Sequence, residues 1–231
     1  MIKAVFHIHS KYSRDSISSL EKIAQFCQKK NIQVVLLADH DNLAPSATIN
    51  GVRIIAGEEI KTAQGEIIGL FIKEKIAAGL PLTETIQKIK AQGGLVVIPH
   101  PFNSLIRRFS GKRISAQNLQ DNLANIDAIE IFNARNVLAG DNQKALEFAN
   151  QYHKTKIVGS DAHLIAEIDN TYFMINNFST SQEFLTNLAS LDWTVKSRRA
   201  SAEFHTKTAS IFHQFLSLCI RIIKKTFLIK A

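Results

Sequence analysis

The chain has 231 residues, 45% hydrophobic and 21% charged, with two cysteines and a formal net charge of +8. That composition suits one generous globular domain with a small appendage. Cys27 and Cys219 lie far apart and neither belongs to a CxxC pair, which excludes a disulfide scaffold and a cysteine-based zinc ribbon. The opening MIKAVFHIH runs into a strand-like stretch with no apolar signal region, so a cytoplasmic protein is expected.

In chain order, AVFHI reads as the first strand, and the run closes on His7 and His9. Period-two spacing sends His7 and His9 to one face and Ile8 to the other, with Asp15 following six residues later. Leu20, Ile23, Ala24 and Cys27 then repeat at helical spacing, and Ser18 to Glu21 has the form of a capping box. QVVLLAD is a strand ending in Asp39, His40 and Asp41, and VRIIAG is one that leads into Glu58 and Glu59. Because neighbours on a strand face opposite ways, only one of those two glutamates can enter a common site. EIIGLFI is a further strand, Leu82, Ile86 and Ile89 mark a helix, and GLVVIPH ends in His100. DAIEIF carries Glu130 and leads to Asn133 and Arg135. A helix with Ala145, Ala149 and Tyr152 follows, and KIVGSD brings Asp161 and then His163. YFMI and a helix with Phe184, Leu188 and Leu191 complete the body.

Residues 196–231 hold eight Lys/Arg and one acid, a net +7, so the first 195 residues are nearly neutral. The chain therefore divides into a domain over 1–195 and a basic amphipathic helical extension over 196–231. The uncharged run Ala209–Ile220 is 12 residues, short of the ~20 that span a bilayer. The extension is expected to pack as a terminal helix, to lie on an anionic membrane surface, or to grip a polyanion. No obligate protein partner is inferred.

Short β-branched strands separated by helices point to a buried parallel sheet, and about seven such units favour a closed (β/α) barrel. In a parallel barrel the C-terminal strand ends meet at one face, which carries the active site. A lone histidine at a strand end is usually just a hydrogen-bonded residue. Five of the eight histidines closing strand-like runs, most beside a carboxylate or another histidine, point instead to a metal centre. Imidazole with carboxylate suits Zn²⁺, Mn²⁺ or Fe²⁺, and the ligand count exceeds what one tetrahedral ion takes.

The ordered set HIHSKYSRDS, ADHDN, GEEI, IPHPF and GSDAH, over roughly residues 1–165, resembles the successive motifs of the polymerase-and-histidinol-phosphatase (PHP) superfamily. The resemblance implies a distorted seven-stranded TIM-like (β/α) barrel with two or three divalent ions (Zn, Mn or Fe). It implies one ion at His7, His9, Glu59 and Asp161. A second would sit at Glu59 and His100 with Asn133 where the family often has histidine, and a third at Asp15, His40 and His163. The expected activity is hydrolysis of phosphomonoesters, such as nucleotides or other small phosphorylated metabolites, by a metal-bridged hydroxide. Asp161, His40 and Arg135 would carry catalysis, and Arg135 with Arg14 would grip the phosphate. The loop Asn103 to Arg113, with Arg107, Arg108, Lys112 and Arg113, would attract phosphorylated substrates. Alternatives are an amidohydrolase-like metal hydrolase, a 5′–3′ exonuclease acting on short oligonucleotides, and a non-catalytic metal-binding module.

Overall fold

Strand β1 (Ile2–Ile8) pairs in parallel with β2 (Val34–Leu37), and their side chains alternate between two apolar cores. Ala4, Phe6, Val34 and Leu36 face the larger core; Val5, Val35 and Leu37 face a smaller one beneath helix α1 (Leu20–Lys29). Phe6 pairs with Leu36 and Ile8 with Leu37, so His7 is one extra residue, a bulge with φ +63°. The bulge shifts the parity of everything after it. Ile8 joins Val5 on the small-core side, and both histidines turn the other way.

A computed structural model describes residues 1–104, 114–193 and the backbone of 204–206. The remaining strands are β3 (Asp39–His40), β4 (Ala47–Ile49), β5 (Val52–Ile55), β6 (Gly57–Thr62), β7 (Gly65–Leu70) and β8 (Leu95–Ile98), followed by β9 (Ala128–Asn133), β10 (Thr155–Gly159), β11 (Thr171–Ile175) and β12 (Phe204–Thr206). Helices α2 (Leu82–Ala91), α3 (Ala116–Asp121), α4 (Ala139–Gln151) and α5 (Ser181–Ala189) lie between them, with 3₁₀ turns at Leu123–Asn125 and Ile165–Asn170.

The expected closed seven-stranded barrel is not found. The described strands form two six-stranded mixed sheets, ordered β12-β11-β1-β2-β5-β4 and β10-β9-β8-β7-β6-β3. Antiparallel pairs interrupt the parallel pattern at β6–β7, β7–β8 and β1–β11. The physical reason is plain at β6–β7, where only Ala63 and Gln64 separate the strands, too few for a crossover. The chain passes between sheets at Ala38 and Ala56, each lying between consecutive strands of different sheets. Gly57 sits at the second crossing, where an added Cβ would stand 2.1 Å from the Leu37 carbonyl oxygen. At the opposite side, the end of β1 meets the residues after β10 through a single bridge, Ile8 with Ala162. Three backbone hydrogen bonds sew this seam: Ser160 N–H to Phe6 O, Ala162 N–H to His7 O, and His9 N–H to Ala162 O.

The N-cap of α1 is Ser19, whose Oγ accepts from Lys22 N–H, one residue later than the expected Ser18. Within the expected helical extension, Phe204–Thr206 is a strand antiparallel to β11. The rest of 196–231, and the cations Arg107, Arg108, Lys112 and Arg113, lie outside the described residues. Among the described residues no helix is long and apolar enough to cross a membrane.

Candidate metal centre

The ends of β1, β3, β8 and β10, the loop after β1 and the interior of β6 bring eight side chains together: His7, His9, Asp15, His40, Glu59, His100, Asp161 and His163. They form three overlapping groups, with ligand atoms inside each group within 4.8 Å of one another. The first is His7, His9 and Asp161; the second is His7, Glu59 and His100; the third is His9, Asp15, His40 and His163. The expected division differs in three places. Glu59 stands outside the group of His7, His9 and Asp161, His7 also belongs with Glu59 and His100, and His9 also joins the group around Asp15.

Glu59 is central. Its Oε1 lies 3.0 Å from His100 Nε2, and its Oε2 lies 3.1 Å from His40 Nδ1, 3.5 Å from His7 Nε2 and 3.7 Å from His9 Nε2. Asp161 Oδ1 stands 3.4 Å from His9 Nε2 and 3.8 Å from His7 Nε2. Asp15 Oδ2 is 3.4 Å from both His40 Nε2 and His163 Nε2. Glu58 faces the other way; its Oε2 accepts from Ile76 N–H.

The donors fit a divalent cation. Ligand atoms ~2.1 Å from a tetrahedral ion stand roughly 3.4 Å apart, the spacing seen here. His7 Nε2 and His9 Nε2 are buried without a hydrogen bond, a costly state that an ion would relieve. The main chain is left-handed at His7, His100 (φ +29°) and Asp161 (φ +49°), which costs an L-residue about 1–2 kcal/mol each.

Electrostatics favour positive charge in the cluster. Burial opposes charge on His7, but Glu130, Asp161 and Glu59 together raise its pKa well above the usual value. His100 is likewise raised to about 9, against burial, chiefly by Glu59. His163 is raised against burial by Asp15. Burial and the neighbouring His163 push His9 down to about 4, leaving it neutral and ready to donate a lone pair. Despite burial, Glu59, Asp161 and Asp15 are held well below the ordinary carboxylate range by the surrounding imidazoles.

Asn133 takes a different place from the expected ligand. Its Oδ1 accepts from Arg135 N–H at 2.9 Å, while its Nδ2 donates to Glu130 Oε2 and Asp161 Oδ2 at 2.9 and 3.2 Å. Turning the amide over would set N–H against N–H and oxygen against carboxylate, so the amide orders the carboxylates instead of offering its oxygen to an ion. The Arg135 Nη1 contacts both oxygens of the buried Glu167 at 3.1 and 3.2 Å. The Arg14 Nη1 lies 3.5 Å from Asp41 Oδ2, and its Nε and Nη2 carry no hydrogen bond.

Several organising residues escaped the sequence reading. Ser13 Oγ donates to Asp15 Oδ1 and accepts from His40 N–H, and Ser16 Oγ bonds the carbonyls of His9 and His163. Ser10 donates its N–H and Oγ–H to Asp39, which fixes the loop after β1. Glu167 Oε2 accepts from the N–H groups of His163 and Leu164. The spacing of Ser10, Ser13 and Ser16 was the available signal; Glu167, four residues past His163, had none beyond a carboxylate near the last motif.

A PHP-associated family model matches residues 139–191. An uncharacterized protein of Methanocaldococcus jannaschii is 38% identical over 178 residues, covering 77% of this chain and 72% of that protein. The chain belongs to the PHP superfamily. Solved structures share its fold at low identity. A two-domain protein of Bacteroides vulgatus containing a predicted PHP-like metal-dependent phosphoesterase superposes with a TM-score of 0.57 at 17% identity. That match covers 81% of this PHP chain and 62% of the other, so this chain spans about three fifths of its length. Endonuclease Q, solved with a 27-mer duplex bearing an abasic lesion, has a TM-score of 0.53 at 15% identity, over 83% of this chain and 57% of that one.

Proposed function

We propose that this PHP protein is a divalent-metal-dependent phosphoesterase that hydrolyses small phosphate monoesters. The observation that carries the reading is Glu59, whose two oxygens face different histidines of overlapping groups, the position of a carboxylate shared between ions. His7, His9, Glu59 and Asp161 would hold one ion, Glu59 and His100 with His7 a second, and Asp15, His40 and His163 with His9 a third. Bound Zn²⁺, Mn²⁺ or Fe²⁺ would lower the pKa of an attacking water and offset charge on the phosphoryl oxygens. Asp15, Glu59 and Asp161, held ionised, supply the negative charge that retains such ions. Arg14, next to Asp15 in the chain, has buried guanidinium N–H groups without a protein partner and would give them to a phosphate oxygen. Arg135 adds positive charge beside Asp161 while its Nη1 stays tied to Glu167.

The test is a panel of aryl phosphate, nucleotides and sugar phosphates supplied with Mn²⁺, Zn²⁺ or Fe²⁺. Release of phosphate from the wild type, lost to background in Asp161→Ala and His40→Ala proteins of unchanged circular dichroism, is the expected result. A protein loaded with metal and inert to every monoester overturns it. The second reading, a nuclease, draws on the shared fold with endonuclease Q. Short oligonucleotides and an abasic duplex belong in the same panel, and cleavage of those alone would select it.

A further inference from the structure

Glu130 lies on β9 behind His7, outside the three candidate ligand groups. Its Oε1 is 2.9 Å from His7 Nδ1. Its Oε2 accepts from the backbone N–H of His100 at 2.6 Å and from Asn133 Nδ2 at 2.9 Å. One carboxylate thus reaches the ring of one candidate ligand and the main chain of another, and both residues hold a left-handed backbone that needs an outside anchor. The room for it comes from Gly159 on β10. A Cβ at Gly159 would stand 1.8 Å from Glu130 Oε1 and 3.0 Å from His7 Cβ.

We propose that Glu130, seated in the space left by Gly159, is a positioning residue that fixes His7 as the Nδ1–H tautomer and pins the turn at His100. Nε2 of His7 then points its lone pair at the Glu59 and Asp161 side of the centre. The inference rests on the reading of His7 and His100 as metal ligands. A histidine ligand commonly donates its second N–H to a carboxylate in this way, which orients the ring and strengthens the donor.

Glu130→Gln is a sharp probe because it keeps the shape and reverses one polarity. Two donors already converge on Oε2, so the new amide must put its oxygen there and turn its NH₂ toward His7 Nδ1. Nδ1 must then accept, which sends the ring proton to Nε2, the atom that should meet the ion. Gly159→Ala reaches the same end by pushing the carboxylate away.

The experiment measures zinc uptake by the full chain and its Glu130→Gln, Gly159→Ala and double variants, with ¹⁵N NMR of the His7 ring in zinc-loaded protein. Wild type should show the proton on Nδ1. Glu130→Gln should lose that resonance and bind zinc about 10–100-fold more weakly. The loss should fall on the ions at His7 and His100, so that zinc retained after dialysis drops but does not vanish. The double variant should be no weaker than the weaker single variant, because both changes act through one carboxylate. Wild-type affinity with the Nδ1 proton retained in Glu130→Gln overturns the proposal and leaves the metal reading standing, as do losses that simply add in the double variant. A wild type that takes up no zinc overturns the metal reading, and this proposal with it. If Glu130→Gln does not fold, Gly159→Ala carries the same readouts.

Discussion

Glu58 and Glu59 are neighbours on β6 with opposite fates, because successive side chains leave a strand on opposite faces. Glu59 is ionised among imidazoles. Glu58 is buried with its Oε1 lacking a hydrogen bond, and burial pushes its pKa up to about 7 from 4.5. Between those two values the folded chain holds a proton that the unfolded chain has released. Stability therefore falls as pH climbs from 4.5, and the whole penalty is present above about 7. Glu58→Gln should change little near pH 4 and stabilise the protein at pH 8, by roughly 1.4 kcal/mol per unit of pKa difference. Urea unfolding at the two pH values checks this; an equal effect at both would refute it. Most of the eight clustered ligand candidates were readable in the sequence because they close strand-like runs; Asp15, in the loop six residues past His9, was readable only from the order of the motifs. Glu130 and Asn133 were not readable in their roles, since these depend on the His7 ring, the Asp161 carboxylate and the Arg135 N–H. Which atom of an amide faces a neighbour is decided by that neighbour.

At the scale of elements, the bulge at His7 does what simple alternation does not. Strict period-two register would have put His7 and His9 with Val5 on the α1 side of the sheet. The extra residue turns them into the site and moves Ile8 to the small core. The sequence showed that the two histidines share a face, but not which face, because a bulge leaves no mark in apolar spacing. Similarly, the chain changes sheets at Ala56, so that β6, with Gly57 first and both glutamates next, lies in the other sheet from β5. Every strand expected from an apolar run is present. The parallel barrel was over-read because strand content says nothing of direction when a turn is as short as Ala63–Gln64. Helix starts are resolved more finely by the structure than by motif. Ser19→Ala should cost about 1 kcal/mol of stability through the lost cap. If chemical denaturation finds no loss on replacing Ser19, the cap is misplaced.

At the scale of the molecule, the centre is a pocket of ionised carboxylates held by imidazoles whose pKa values are mostly raised. Protons on His7, His100 and His163 occupy lone pairs that a cation needs, so metal uptake must release them. Apparent affinity should rise with pH as these imidazoles deprotonate, His100 near 9 among them. Calorimetry in buffers of different ionisation enthalpy measures the protons released; uptake with no proton release would contradict this electrostatic picture. Bound ions should also raise the melting temperature, by a free energy of about 4 kcal/mol at a thousandfold excess over Kd.

The seam at Ile8 and Ala162 gives those ions a mechanical meaning. His7 and His9 belong to one sheet and its loop, whereas Glu59, His100 and Asp161 belong to the other. Any ion shared by these side chains laces two sheets whose main chains meet here through one bridge and three backbone bonds, beside side-chain contacts such as His7 with Glu130. The amides of His9, Ser160 and Ala162 are the stitches, and their hydrogen exchange should slow severalfold when metal is added. The hairpin of β4 and β5, at the free edge of the first sheet, should exchange at an unchanged rate.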